Sequence, residues 1–219
     1  DKDNEAEQLN HERIRKAYDC ADEEALSYGP KTETPMLLAV GRLVARKGYM
    51  SLLRAMPLIL KEHANTRLVI IGRGHMKKSL LKTAEELGVS HAVFIKSSMS
   101  FEDIAQHYRS ADLVVYPSYY EGQGLIPLEA LASGTPVVTV DQPPLTEMVD
   151  DTVGGLFDRG DHAGMAKAVC DELNGSVKRI KKAKAGRKRV LESFTFEGNA
   201  EMYEDVFQRS VQKRHWRDK

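Results

Sequence analysis

The chain has 219 residues, 42% of them hydrophobic, with Lys plus Arg equal to Asp plus Glu at 32 each. That length suits one domain or a domain with extensions, and the balanced charge points to neither nucleic acid nor a strongly anionic membrane surface as the partner. No apolar run approaches the roughly 18–20 residues of a spanning helix, so no transmembrane segment is expected, while peripheral membrane contact stays open.

Residues 1–34 form a polar extension beginning Asp1-Lys-Asp-Asn-Glu-Ala-Glu, with no signal-peptide core. It carries a helical stretch (Leu9, Arg13, Ile14, Ala17, Tyr18) and ends in a linker, Tyr28-Gly-Pro30-Lys-Thr-Glu-Thr-Pro35. Its Cys20 and the later Cys170 are the chain's two cysteines. They show neither a pairing framework nor metal-ligand spacing, which fits a reducing, cytoplasmic compartment and gives no reason for a cysteine metal site.

Residues 35–193 alternate strands with helices. Strands are expected at Met36–Val40, Leu68–Ile71, Val93–Ile95, Leu113–Tyr116 and Val137–Val140, short unbroken apolar runs of the kind found in parallel strands covered on both faces. Amphipathic helices are expected near Met50–Leu60, Met76–Leu87, Phe101–Arg109 and Leu125–Ser133, with Gly88 as a helix stop. Five or six such units predict an α/β, doubly wound, Rossmann-like sheet with ligands at the carboxyl ends of its strands. The basic run Lys178 to Arg189 reads as a solvated helix face. Residues 194–219 hold a final amphipathic helix with Met202, Tyr203, Val206 and Phe207.

The most informative segment is Ser118-Tyr-Tyr-Glu121-Gly122-Gln123-Gly124-Leu125-Ile-Pro127-Leu-Glu129. Gly122 and Gly124 let the backbone turn sharply and admit an anion to its N–H groups. The first N–H groups of the following helix have no internal partner and carry the positive end of its dipole, which favours phosphate. Pro127 fits the first helical turn. Two glutamates eight apart across this turn can serve a diphosphate at one end and a sugar diol at the other.

This string resembles the Glu-x7-Glu signature of the family 4 glycosyltransferases, where it belongs to the C-terminal, donor-binding lobe of the two-lobed GT-B fold. Val40-Gly41-Arg42-Leu-Val-Ala-Arg46-Lys47-Gly48 resembles that family's first strand and loop, and Arg67-Leu-Val-Ile-Ile-Gly72-Arg73-Gly74 its second strand and turn. Ala92-Val-Phe94-Ile95, Ser110-Ala-Asp112 through Pro117-Ser118, and Pro136-Val-Val follow in order. The resemblance runs from about Met36 to at least Phe157.

The resemblance implies a nucleoside-diphosphate sugar as donor substrate, with no further cofactor and no metal. Arg42 and Lys47 would grip the diphosphate and Gly41 would line its loop. Glu121 would position the sugar or stabilise charge at the anomeric carbon, and Glu129 would accept hydrogen bonds from the ribose hydroxyls. Gly72, Arg73, Ile95, Lys96, Gly122, Gln123, Gly124 and Leu125 complete the expected donor site, with Arg42, Lys47 and Glu121 as its catalytic members. Glu147 matches an acidic position beside the donor and reads as structural.

Two departures from the family's pattern stand out. Gln123 replaces the usual aromatic between the two glycines, and Lys96-Ser97 stands where the family has a glycine near the base. Lys77 occupies the third glycine position of a dinucleotide fingerprint, which disfavours NAD. No Asp-x-Asp pair is present, and none of the seven histidines forms a Ser/His/Asp or His-x-x-x-His pattern; His63, His75, His91 and His107 read as surface or helix-end residues. The expected activity is retaining, metal-independent sugar transfer, incomplete without an N-terminal acceptor lobe or a partner subunit. Two alternatives remain: another GT-B enzyme such as a nucleotide-sugar epimerase, or a non-catalytic donor-lobe subunit.

Overall fold

The computed structural model describes residues 34–97 and 99–217. The expected N-terminal helical stretch, Cys20 and most of the linker lie outside the described residues. Six parallel strands form one sheet: β1 (Met36–Val40), β2 (Arg67–Ile71), β3 (Val93–Lys96), β4 (Leu113–Tyr116), β5 (Val137–Val140) and β6 (Gly154–Phe157). Their order is β3-β2-β1-β4-β5-β6, so the winding reverses between β1 and β4. Leu38 pairs with Val69 on one side and with Val114 on the other. At such a switch point the loops leaving two neighbouring strands diverge and open a crevice.

The helices are α1 (Tyr49–Glu62), α2 (Lys77–Glu86), α3 (Phe101–Ser110), α4 (Leu125–Ala132), α5 (Leu145–Met148), α6 (His162–Asn174), α7 (Ser176–Ser193) and α8 (Phe196–Arg217). Their cores follow the 3.6-residue period. In α1, Leu52, Leu53, Met56 and Ile59 turn one face onto the sheet and are fully buried. Strands β4 and β5 are buried at every position, as their mainly apolar runs require, and the one buried hydroxyl in β5, that of Thr139, donates to the Tyr116 carbonyl. Gly88 follows α2 with φ 71° and its N–H bonds the Glu85 carbonyl. Among the described residues no helix is long and apolar enough to cross a membrane.

Two expectations change. β6 is a strand that its Gly-Gly-Leu-Phe sequence does not announce. The basic run on α7 is not simply a solvated face, because Arg179 and Lys182 are buried. Lys182 Nζ donates to Glu172 Oε1 and to the Gly154 carbonyl, each at 2.5 Å. Arg179 lies 3.5 Å from Asp112 Oδ1, whose other oxygen accepts from the Met36 N–H. These cations therefore tie α7 to α6 and to both halves of the sheet, where a buried charge needs a partner. The apolar stripe expected on the last helix is present, and Met202, Tyr203, Val206 and Phe207 are all more than half exposed.

Candidate functional site

Two loops meet at the switch point. The first leaves β1 at Gly41, makes a 3-10 turn at Ala45–Lys47 and enters α1 through Gly48. The second leaves β4 at Pro117 and enters α4 through Gly124. They are laced together: Tyr119 N–H donates to the Arg46 carbonyl at 2.7 Å, and Arg46 donates to the Tyr120 carbonyl at 3.1 Å. Gly48 has φ 71°, and a Cβ there would stand 2.0 Å from the Pro117 carbonyl oxygen. Only glycine allows that approach.

The lacing presents a compact charged cluster. Lys47 Nζ donates to Glu121 Oε1 at 2.5 Å and to Tyr116 Oη at 2.7 Å, and the Ser118 hydroxyl donates to the same Glu121 oxygen. The Lys47 and Glu121 side chains are 9% and 10% exposed. Burial alone would raise the Glu121 pKa, but hydrogen bonds from Lys47, Ser118 and Tyr116, with the Lys47 charge, hold it below the usual carboxylate value. Burial, then the Glu121 charge, push the Tyr116 and Tyr49 hydroxyls well above their ordinary value, so both stay protonated donors. The Tyr49 hydroxyl is buried with no partner among the described residues, and it would lie 3.0 Å from a Cβ on Gly41.

Helix α4 supplies the other half. It starts at Gly124, φ 87°, with no side chain capping its N-terminus, so its first N–H groups are open to an anion. Seven of its eight residues are buried, Glu129 among them. The Tyr108 hydroxyl from α3 donates to Glu129 Oε2 at 2.8 Å and fixes the carboxylate. Gly122 and Gln123 are exposed at the turn and Leu125 is half-buried.

The remaining expected residues sit at the carboxyl ends of β1, β2 and β3. Backbone bonds knit them together: Gly41 N–H to the Ile71 carbonyl, Leu43 N–H to Arg73, and Gly72 N–H to Lys96. Arg42 and Arg73 are exposed, and among the described residues neither is hydrogen-bonded to the Lys47–Glu121 cluster. Ile95 is half-buried, and the Lys96 ammonium lies 3.1 Å from His107 Nε2. Glu147 on α5 is exposed. Sequence reasoning missed Tyr49, Tyr108, Tyr116 and Ser118 as site residues. The signal available for Ser118 was its place three residues before Glu121; the tyrosines read as core. A separate cavity of about 280 Å³ beside β6 is lined by Asp141, Asp158, Asp161 and Asp171 with Lys167, a charge balance that disfavours a diphosphate.

The family model described as glycosyl transferases group 1 matches residues 21–189. The chain belongs to the group 1 glycosyl transferases. Among curated members, an uncharacterised glycosyltransferase of Methanocaldococcus jannaschii is 42% identical over 60% of this chain and 33% of its own length. A glycogen synthase of Mycobacterium tuberculosis is 32% identical over 84% of this chain and 45% of its own length. This chain thus spans less than half the length of those relatives. Sucrose-phosphate synthase from Thermosynechococcus elongatus superposes with a TM-score of 0.74 at 27% identity, covering 82% of this chain and 46% of that one. A TarM mutant from S. aureus, solved with UDP, gives 0.74 at 25% identity, covering 80% and 36%. The group 1 match and the GT-B neighbours bear out the resemblance read from the motifs.

Proposed function

We propose that this chain is the donor-binding domain of a glycosyltransferase and holds a nucleoside-diphosphate sugar between the β1 and β4 loops. The observation that carries the reading is the Lys47–Glu121–Tyr116–Ser118 cluster beside the uncapped start of α4, with the buried Glu129 one further turn along. The diphosphate lies against the α4 N–H groups and Lys47, with Arg42 closing from the rim. As the anomeric C–O bond breaks, negative charge grows on the departing diphosphate, and fixed cations and N–H dipoles stabilise it. Arg42 forks two oxygens while Lys47 acts as a point charge. Glu121, kept ionised by its partners, faces the sugar and offsets positive charge at the anomeric carbon. Glu129, held by Tyr108, accepts from the ribose diol.

Transfer in this reading is retaining and needs no metal, and the leaving phosphate takes the acceptor proton. The acceptor-binding lobe, in a longer chain or a partner, completes the enzyme. The test is titration calorimetry of the full chain with UDP, GDP and ADP and their sugars, alongside Arg42→Ala and Glu129→Ala. One nucleotide should be preferred, and each variant should bind it about ten- to a hundred-fold more weakly, the worth of a charge-assisted hydrogen bond at roughly 1.5–3 kcal/mol. Equal binding by wild type and both variants would sink the site; no binding at all by wild type would favour the non-catalytic donor-lobe reading.

The orphan Tyr49 hydroxyl sharpens this picture. A buried hydroxyl without a partner contributes nothing to stability, so Tyr49→Phe should leave the melting temperature unchanged or raise it slightly. If the hydroxyl completes the phosphate cradle beside Gly41, the same variant should bind the preferred nucleotide about five- to ten-fold more weakly, one neutral hydrogen bond's worth. Unchanged affinity would remove Tyr49 from the site.

A further inference from the structure

At the far end of the sheet from the donor loops, α1 finishes against α6. Glu62 is the last residue of α1 and His63 is its C-cap, while Cys170 lies in the second half of α6. The carboxylate, imidazole and thiol ligand atoms all fall within 4.8 Å of one another. His63 Nε2 is 3.8 Å from Glu62 Oε1, completely covered, and without a hydrogen-bond partner among the described residues. Cys170 is a free thiol, 5% exposed. Asn174, one turn beyond Cys170, donates to Glu62 Oε1 at 2.5 Å and orients that carboxylate as outer partners orient metal ligands.

We propose that Glu62, His63 and Cys170 bind a thiophilic divalent cation of the Zn²⁺ type, which fastens α1 to α6. The chemistry of the donor set fits. Thiolate, imidazole and carboxylate are the ligands zinc takes, and three of them leave a fourth tetrahedral position for water. Zinc–ligand lengths of about 2.0–2.3 Å place tetrahedral ligand atoms roughly 3.3–3.6 Å apart, so side-chain rotations of about 1 Å close the site. On binding, the Cys170 S–H bond breaks, its proton passes to solvent, and the sulfur lone pair forms the metal bond. His63 gives the Nε2 lone pair and keeps its proton on Nδ1. Two anionic ligands neutralise the dication, which suits a half-buried position. The half-exposed Glu62 provides the entry path. Sequence spacing could not reveal the group, because the fold joins Glu62-His63 to a cysteine more than a hundred residues later. This inference is independent of the donor site.

The test is titration of the full chain with cobalt(II) chloride, followed by optical absorption, together with zinc chloride followed by thermal unfolding. One equivalent of cobalt should produce a thiolate-to-metal band in the near ultraviolet and d–d absorption of tetrahedral intensity. Both should persist in Cys20→Ser, lose the thiolate band in Cys170→Ser, and need at least tenfold more metal in His63→Gln. Zinc should raise the melting temperature of wild type and of Cys20→Ser by several degrees, and that of His63→Gln by much less. Absence of the thiolate band from wild type overturns the proposal, as does a band that survives Cys170→Ser. Should Cys170→Ser fail to fold, an unaltered cobalt affinity in His63→Gln overturns it equally.

Discussion

Lys47→Ala should bind the preferred nucleoside diphosphate ten- to a hundred-fold more weakly and melt roughly 6–20 °C lower than the parent chain. The two effects share one cause. Lys47 and Glu121 meet at 2.5 Å with both side chains about nine-tenths covered. Removing one member of such a pair strands the other, at about 3–5 kcal/mol, and each kcal/mol moves the melting point of a chain this long by roughly 2–4 °C. The affinity loss is the charge-assisted bond to phosphate.

A double variant separates the roles. Lys47→Ala combined with Glu121→Gln removes the stranded charge, so much of the stability should return while the nucleotide affinity should not. Recovery of both would mean that Lys47 acts only as a structural counter-ion to Glu121. The acid limb of stability reports the same pairing. Because the folded Glu121 pKa is lowered, its contribution is present above the unfolded value of about 4.3 and lost as the pH falls through the folded one. Lys47→Ala should move that loss to higher pH, measured as melting temperature against pH.

How much of this was legible in the sequence depends on whether a feature is local. Strands β1, β2, β4 and β5 announce themselves because a parallel strand covered on both faces must be apolar throughout. β6 does not, since Gly154 is present for close approach: a Cβ there would stand 1.9 Å from the Val137 carbonyl oxygen, a demand set by the pairing with β5 and not by the segment's own residues. The α7 run Lys178 to Arg189 has the composition of a solvated face, yet Arg179 and Lys182 find Asp112 and Glu172 in the interior. Glu121 and Glu129 could be singled out from their spacing across one turn. Tyr116, Tyr49 and Tyr108 could not, because an aromatic at a strand end or on a buried helix face has the same pattern whether its hydroxyl is idle or aimed at a carboxylate. Family and fold follow from the group 1 match and the similar structures; the roles proposed for individual side chains are what the variants test.

Gly48→Ala is the second change with a large expected effect, and it tests whether the two loops must touch. Ala at φ 71° carries the left-handed penalty of about 1–2 kcal/mol. Its Cβ would also stand 2.0 Å from the Pro117 carbonyl oxygen, against the roughly 3.3–3.6 Å of a normal carbon–oxygen contact. Backbone on one side faces backbone on the other, so no rotamer relieves the overlap and the loops must part. Together with an overpacking cost of about 1–3 kcal/mol, about 2–5 kcal/mol should be lost. Lys47 immediately precedes Gly48, and Ser118 immediately follows Pro117, so the parting also separates Lys47 from Glu121. Gly88→Ala isolates the first contribution. Gly88 has the same φ of 71° with nothing within 4 Å of a Cβ, and it should cost only the left-handed penalty and leave nucleotide binding intact. Equal destabilisation by the two variants would mean that the Gly48–Pro117 approach contributes nothing. A larger cost at Gly48, accompanied by weaker nucleotide binding, would tie the donor site to the contact between the β1 and β4 loops.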